Sequence, residues 1–284
     1  MSLSSGLNLD GSRAMLRQAK VNLDSWIAIL RRAPRARSGP GLWPWPAGVV
    51  VVASAAIILP VAVVTVAADA WAIGAARTLP EAVHAVFRVI TEFGKSGWFL
   101  WPIGIALIAL GLVATPATGR IGAAVVAALA VRLTFVFAAI AVPGLFTAII
   151  KRLIGRARPF VGGAADPYLY DPFVWKAAYA SLPSGHATTA FAAAVAIGAV
   201  WPQARPYLWI YALLIAISRV VVIAHHPSDV LTGAVVGVIG AVMVRNWFAA
   251  RRLAFSVAGN DRVRAMPGPS GRRLKRVAAR LFRP

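Results

Sequence analysis

The chain contains no cysteine, and its 284 residues include only 9 aspartates and glutamates against 30 lysines and arginines. The first absence excludes disulfides and thiolate metal sites. Charge of either sign is scarce, at 14% of residues against 59% hydrophobic, and the mean hydropathy is +0.72. That excludes an ordinary soluble domain, in which about a quarter of residues are charged. A hydrocarbon core about 30 Å thick needs roughly 20 apolar residues per spanning helix. Several such runs are present, so the composition reads as a polytopic membrane protein. No secretory signal peptide is expected, because the first apolar run begins only near Ala47.

The net charge of +21 is concentrated at the two ends. Arg13, Arg17, Lys20, Arg31 and Arg32 precede the first apolar run, and Arg251, Arg252, Arg262, Arg264, Arg272, Arg273, Lys275 and Arg276 follow the last. Flanking membrane spans, such residues mark the cytoplasmic side and bind anionic lipid headgroups. Nucleic acid is not expected as a partner, because no folded recognition module accompanies the charge.

The expected fold is an all-α polytopic bundle of six transmembrane helices. The spans are Ala47–Ala68, Gly97–Ala114, Ile121–Ile150, Ala187–Val200, Tyr207–Ala224 and Val230–Trp247. Trp43, Trp45, Trp71, Trp98, Trp101, Trp201, Trp209 and Trp247 stand near their ends, where an amphipathic ring prefers to lie. Two basic ends place both termini in the cytoplasm. The connections 69–96, 151–183 and 225–229 then face outward. Three segments follow: a basic N-terminal segment over 1–40, a six-span domain over 41–248 and a flexible basic tail over 249–284. Residues 16–30 repeat apolar side chains at helical spacing, which fits an interfacial amphipathic helix or an unstructured basic arm. Arg132 falls inside the long third run. A mid-membrane arginine is costly, so the bilayer is expected to begin near Leu133, with Ile121–Val131 outside it.

Three polar clusters fall on the outward side: Lys151 to Pro159, Pro183 to His186, and Ser218-Arg219 through His225 to Asp229. Cations on an outward face run against the positive-inside tendency, which suggests that they answer an anion. Lys151 and Arg158 are seven apart, two turns on one helical face, with Pro159 ending the helix. The alternative for Lys151, Arg152 and Arg156 is that they are snorkelling charges at a span end. Pro183-Ser184-Gly185-His186 suits a helix start, with Ser184 as cap and free N–H groups toward an anion. Pro227 opens the last span with Asp229 in its first turn. His225 lies four residues earlier, within reach of that carboxylate. His226 reads as structural, and His84 as part of an outward interfacial helix over 80–93. Asp166, Tyr168, Tyr170, Asp171 and Trp175 suggest a loop over the entrance.

Phosphoryl transfer needs positioning and charge stabilisation of the phosphoryl oxygens. Arginine binds phosphate bidentately and lysine supplies a point charge. One histidine can attack phosphorus while another serves as acid and then base. A divalent metal fits poorly beside so many cations, and no cofactor is expected.

At these residues the sequence resembles the type 2 phosphatidic acid phosphatase family. Its motifs K-x6-R-P, P-S-G-H and S-R-x5-H-x3-D are complete as Lys151 with Arg158-Pro159, Pro183 to His186, and Ser218-Arg219 with His225 and Asp229. The resemblance covers roughly Ala47 to Trp247. It implies a lipid phosphatase in which His225 becomes phosphorylated, Asp229 orients it, and His186 protonates the leaving group and then activates water. Lys151, Arg158 and Arg219 would bind phosphate oxygens, helped by Ser184 and the Gly185 N–H. The implied location is a bacterial inner membrane with the site facing the exterior. Phosphatidic acid, phosphatidylglycerol phosphate, an isoprenyl diphosphate and lipid A all fit as substrate. The same residues would suit a lipid-to-lipid phosphotransferase, and bound cations alone would suit a non-catalytic lipid transporter.

Overall fold

The computed structural model describes residues 9–34, 47–113, 119–163, 165–258 and 262–281. Ten helices occur among them: α1 (Leu9–Leu30), α2 (Ala47–Ala67), α3 (Asp69–Arg77), α4 (Glu81–Glu92), α5 (Gly97–Val113), α6 (Gly119–Ile154), α7 (Gly185–Val200), α8 (Arg205–Val221), α9 (Pro227–Ala250) and α10 (Gly271–Leu281). Each of the six predicted runs is helical over most of its described length.

By length and composition, four helical stretches can cross a membrane: Glu81–Leu112, Gly119–Ile154, Pro202–Val221 and Pro227–Ala250. A fifth arises if Val51–Ala67 and Asp69–Arg77, bent by 47°, form one broken span. The remaining run, α7, has 16 residues, about 24 Å at the helical rise, short of the hydrocarbon thickness. Trp71, Trp98, Trp101, Trp201 and Trp209 are exposed on the protein surface, whereas Trp43 and Trp45 lie outside the described residues.

The chain divides into two compact units. One comprises residues 1–39, 101–135 and 248–284. The N-terminal apolar repeat is the helix α1, whose Trp26 packs on Val125, Val126 and Val277. Asn22 Nδ2 donates to Gly111 O at 2.8 Å. Phe135 meets Phe248 and Phe255 edge to face, at 5.4 and 4.6 Å between centroids. Where the sequence suggests a flexible tail, residues 249–284 carry an antiparallel hairpin of β1 (Phe255–Val257) and β2 (Val263–Ala265), followed by α10. The guanidinium of Arg132 closes on main-chain oxygens of Ala128 (2.9 Å), Met266 (2.9 Å) and Pro267 (3.0 Å).

The second unit comprises residues 40–100 and 136–247. Helices α7 and α8 interlock through Ala190, Phe191, Ala194, Ala212 and Ile215. Helix α9 lies directly on α7. A side chain at Gly233 would come within 2.4 Å of Ser184 O, and one at Gly237 within 2.4 Å of Thr188 O. Only glycine permits this approach, which sets the first turn of α9 beside the first turn of α7. Tyr211 Oη donates to Phe93 O at 2.9 Å and ties α8 to the end of α4.

Candidate active site

The first cluster begins on the last turn of α6 and leaves it. The helix ends at Ile154, not at Pro159, because Gly155 turns at φ +65°. A Cβ there would also fall 1.8 Å from Asp171 O. Lys151 therefore sits on the helix, while Arg156 and Arg158 lie in the connection beyond it. Arg158 N donates to Ala178 O at 2.8 Å, Ser181 N to Arg156 O at 3.1 Å, and Arg77 to Pro159 O at 3.0 Å.

Ser184 occupies the N-cap position of α7, yet its hydroxyl caps nothing and is buried without a partner among the described residues. Its backbone N–H donates instead to Asp229 O at 2.9 Å. Gly185 and His186 form the first turn of α7. The Lys151 ammonium stands 3.4 Å from where a Cβ on Gly185 would lie, so glycine leaves the space between them open.

Arg219, on the last turn of α8, is buried and donates to Thr91 Oγ1. Its carbonyl accepts the N–H groups of Ala224 and His225, which folds the chain back sharply. His225 follows, 2% exposed, with Nδ1 3.4 Å from Ser181 Oγ and 3.7 Å from Asp229 Oδ2. The carboxylate thus lies beside His225 but beyond direct hydrogen-bond distance. Asp229 Oδ2 accepts from Ser181 Oγ at 2.6 Å and from His226 N at 2.9 Å. Burial pushes the His225 imidazole down to about 4, against the raising pull of Asp229, so at neutral pH it is uncharged. His226 is fully buried beside the same carboxylate, 3.4 Å from Oδ2. His84 belongs to α4.

His186 lies within electrostatic reach of Arg219, His225, Lys151 and Arg158. All eight residues expected from the sequence (Lys151, Arg158, Ser184, Gly185, His186, Arg219, His225 and Asp229) belong to this one unit. Beside them is a cavity of about 450 Å³, lined by Gly94, Lys95, Lys151, Gly185 and His186 and, on its apolar side, by α6. Arg158 Nε, Arg219 Nε and Ser184 Oγ are buried without hydrogen-bond partners among the described residues. Unmet donors of this kind are costly, and an oxyanion would satisfy them. Among the described residues no group of three or more His, Asp or Glu is placed to hold a metal ion.

Four residues escape a sequence reading. Arg156, which reads as a snorkelling charge, is 1% exposed and donates to Asp229 Oδ1 at 2.6 Å. Asp69, Ser181 and Ser228 are fully buried around the same network. The one available signal was an acidic residue immediately after an apolar run. Over the 160–182 connection, Tyr168 and Trp175 are exposed, with the Arg152 guanidinium 5.9 Å from the Trp175 ring. Tyr170 pairs with Arg156 in a single β-bridge.

The family model described as PAP2 superfamily matches residues 132–253. The chain is 31% identical to the lipid A 1-phosphatase of Rhizobium johnstonii over 89% of this chain and 98% of that protein. It is 34% identical to the decaprenylphosphoryl-5-phosphoribose phosphatase of Mycolicibacterium smegmatis over 51% of this chain and 68% of that protein. Among solved structures, the transmembrane PAP2-type phosphatidylglycerolphosphate phosphatase of Bacillus subtilis is 19% identical, with TM-score 0.43, over 81% of this chain and 95% of that one.

Proposed function

Because the chain belongs to the PAP2 superfamily and is a membrane phosphatase, we propose that it hydrolyses the terminal phosphate of a membrane lipid through a phosphohistidine on His225. The observation that carries this reading is the set of unmet donors on Arg158, Arg219 and Ser184 beside two histidines. With Nδ1 turned toward Ser181 and Asp229, Nε2 of His225 is the nitrogen for attack. The N–P bond forms as the P–O bond to the lipid breaks, and His186, which burial and the surrounding cations hold neutral until a phosphate offsets them, passes the proton it takes up with the phosphate to the leaving oxygen. His186 then takes a proton from water, which attacks the phosphohistidine and frees phosphate.

Lys151, Arg158 and Arg219 hold the phosphoryl oxygens, with Ser184 Oγ and the Gly185 N–H adding donors at the start of α7. These cations supply the charge that a metal would otherwise supply and would repel a divalent ion, so the reaction proceeds without one. The basic terminal segments favour cytoplasmic termini, which puts the site on the outer face of a bacterial inner membrane. The apolar wall of the cavity, formed by Ile140, Ala141 and Leu145 of α6, suits a lipid chain. Lipid A is the leading substrate, because the relative matched over nearly its whole length is a lipid A 1-phosphatase. Phosphatidic acid, phosphatidylglycerol phosphate and an isoprenyl diphosphate follow.

The test is phosphate release by purified protein from each of these four lipids, with and without an added lipid acceptor. Release from lipid A without acceptor is expected. Release that requires an acceptor would replace hydrolysis with lipid-to-lipid transfer, and lipid movement without any release would mean a transporter.

A further inference from the structure

Asp69 opens α3, lies outside all three motifs and is fully buried. Its Oδ1 accepts from Ser228 N at 2.9 Å. Its Oδ2 accepts from Arg156 Nη2 at 2.8 Å and from the Ser228 hydroxyl. Arg156 is equally enclosed. Its Nη1 donates to Asp229 Oδ1 at 2.6 Å and to Ser228 Oγ at 2.7 Å, and its Nε to Pro167 O at 2.9 Å. Two carboxylates therefore share one guanidinium, so Arg156 neutralises Asp229 only in part beside His225.

A lone Arg156–Asp229 pair would be neutral, and the carboxylate would have little field left for the imidazole. Drawing the guanidinium toward a second carboxylate restores that field. A buried ion cluster is weak as a stabilising device, whereas a charge that supports a cation formed only during the reaction acts on rate. When His225 Nε2 bonds to phosphorus, the ring keeps its Nδ1 proton and becomes cationic. The proton released to the leaving oxygen comes from His186, so the cation persists until water attacks.

We propose that Asp69 is a positioning residue for the reaction, holding Arg156 and Ser228 so that Asp229 keeps a net negative charge toward His225. This rests on the reading of His225 as nucleophile. Asp69 touches no substrate, so its effect falls on kcat and not on KM.

The experiment compares phosphate release from a phosphorylated lipid in detergent micelles by wild type, Asp69→Asn, Asp69→Glu and His225→Ala, with thermal unfolding of each. For Asp69→Asn, kcat is expected to fall by about tenfold or more with KM within about twofold. Asp69→Glu, which keeps the charge, recovers most of that loss. A wild-type kcat in Asp69→Asn, a matching rise in KM, or equal loss in both Asp69 variants would overturn the proposal. If Asp69→Asn does not fold, Ser228→Ala takes its place, since it removes a bridge and leaves every charge. A kcat loss of about threefold at unchanged KM supports the proposal, and wild-type kcat overturns it. Turnover by His225→Ala would sink the phosphohistidine reading itself. A dead His225→Ala beside a wild-type Asp69→Asn overturns only the role of Asp69.

Discussion

Arg132 in one unit and Arg156 in the other are both held by several partners, but of different kinds. Arg132 closes on three main-chain carbonyls, in a unit whose interior is otherwise packed aromatic and aliphatic side chains. Arg156 closes on two carboxylates, a hydroxyl and a carbonyl, in a unit where further buried donors on Arg158, Arg219 and Ser184 have no partner among the described residues. Neutral dipoles around a cation join segments of chain and leave nothing over. Carboxylates around a cation, with other cations unanswered nearby, leave both a field and a capacity to bind. The difference separates a structural arginine from one that serves chemistry.

The largest effect is expected from Arg156→Met, which takes the shared, hydrogen-bonded guanidinium away from the buried carboxylates of Asp69 and Asp229. Removing one partner of such a cluster costs about 3–5 kcal/mol, read as loss of folded protein in a denaturant or thermal melt. Next, Arg158→Gln keeps the fold and removes a charged donor for the phosphoryl group. It should lower kcat/KM by about 10²–10³, measured by phosphate release.

A smaller effect concerns acid. His225 has its folded value depressed from 6.5 to about 4, so the unfolded chain binds the extra proton first. Stability is therefore full above about pH 6.5 and falls as pH drops toward 4, by a few kcal/mol at most. Melting curves across that window should show the decline, and His225→Gln should flatten it. Arg132→Met should have the smallest effect: a stability loss of about 1 kcal/mol or less after solvent screening, with kcat and KM unchanged. A large catalytic loss there would erase the contrast between the two arginines.

Helix positions were legible because long apolar runs announce themselves, and the three clusters were legible because phosphate chemistry demands those residue types. The end of α6 was misplaced. Pro159 is the conspicuous breaker, but Gly155 and the close approach of Asp171 O stop the helix earlier. Arg156 was misread because charge next to a span ordinarily snorkels, and its partner Asp69 is 87 residues away in sequence. No local pattern encodes a contact that distant. The apolar run at α7 is a helix of 16 residues packed on α8 and α9, so its composition reflects burial within the unit. The tail was read from its charge alone, yet Leu274 and Val277 of α10 pack on Val125 and Val126.

The phosphohistidine on His225 is tested most directly by quenching the enzyme during turnover of a lipid labelled in its terminal phosphate, then mapping the label by peptide. Label on the peptide containing His225, lost in acid, retained in base and absent from His225→Ala, is the predicted result. A burst of free phosphate with no protein-bound label, or label that persists in His225→Ala, would contradict it.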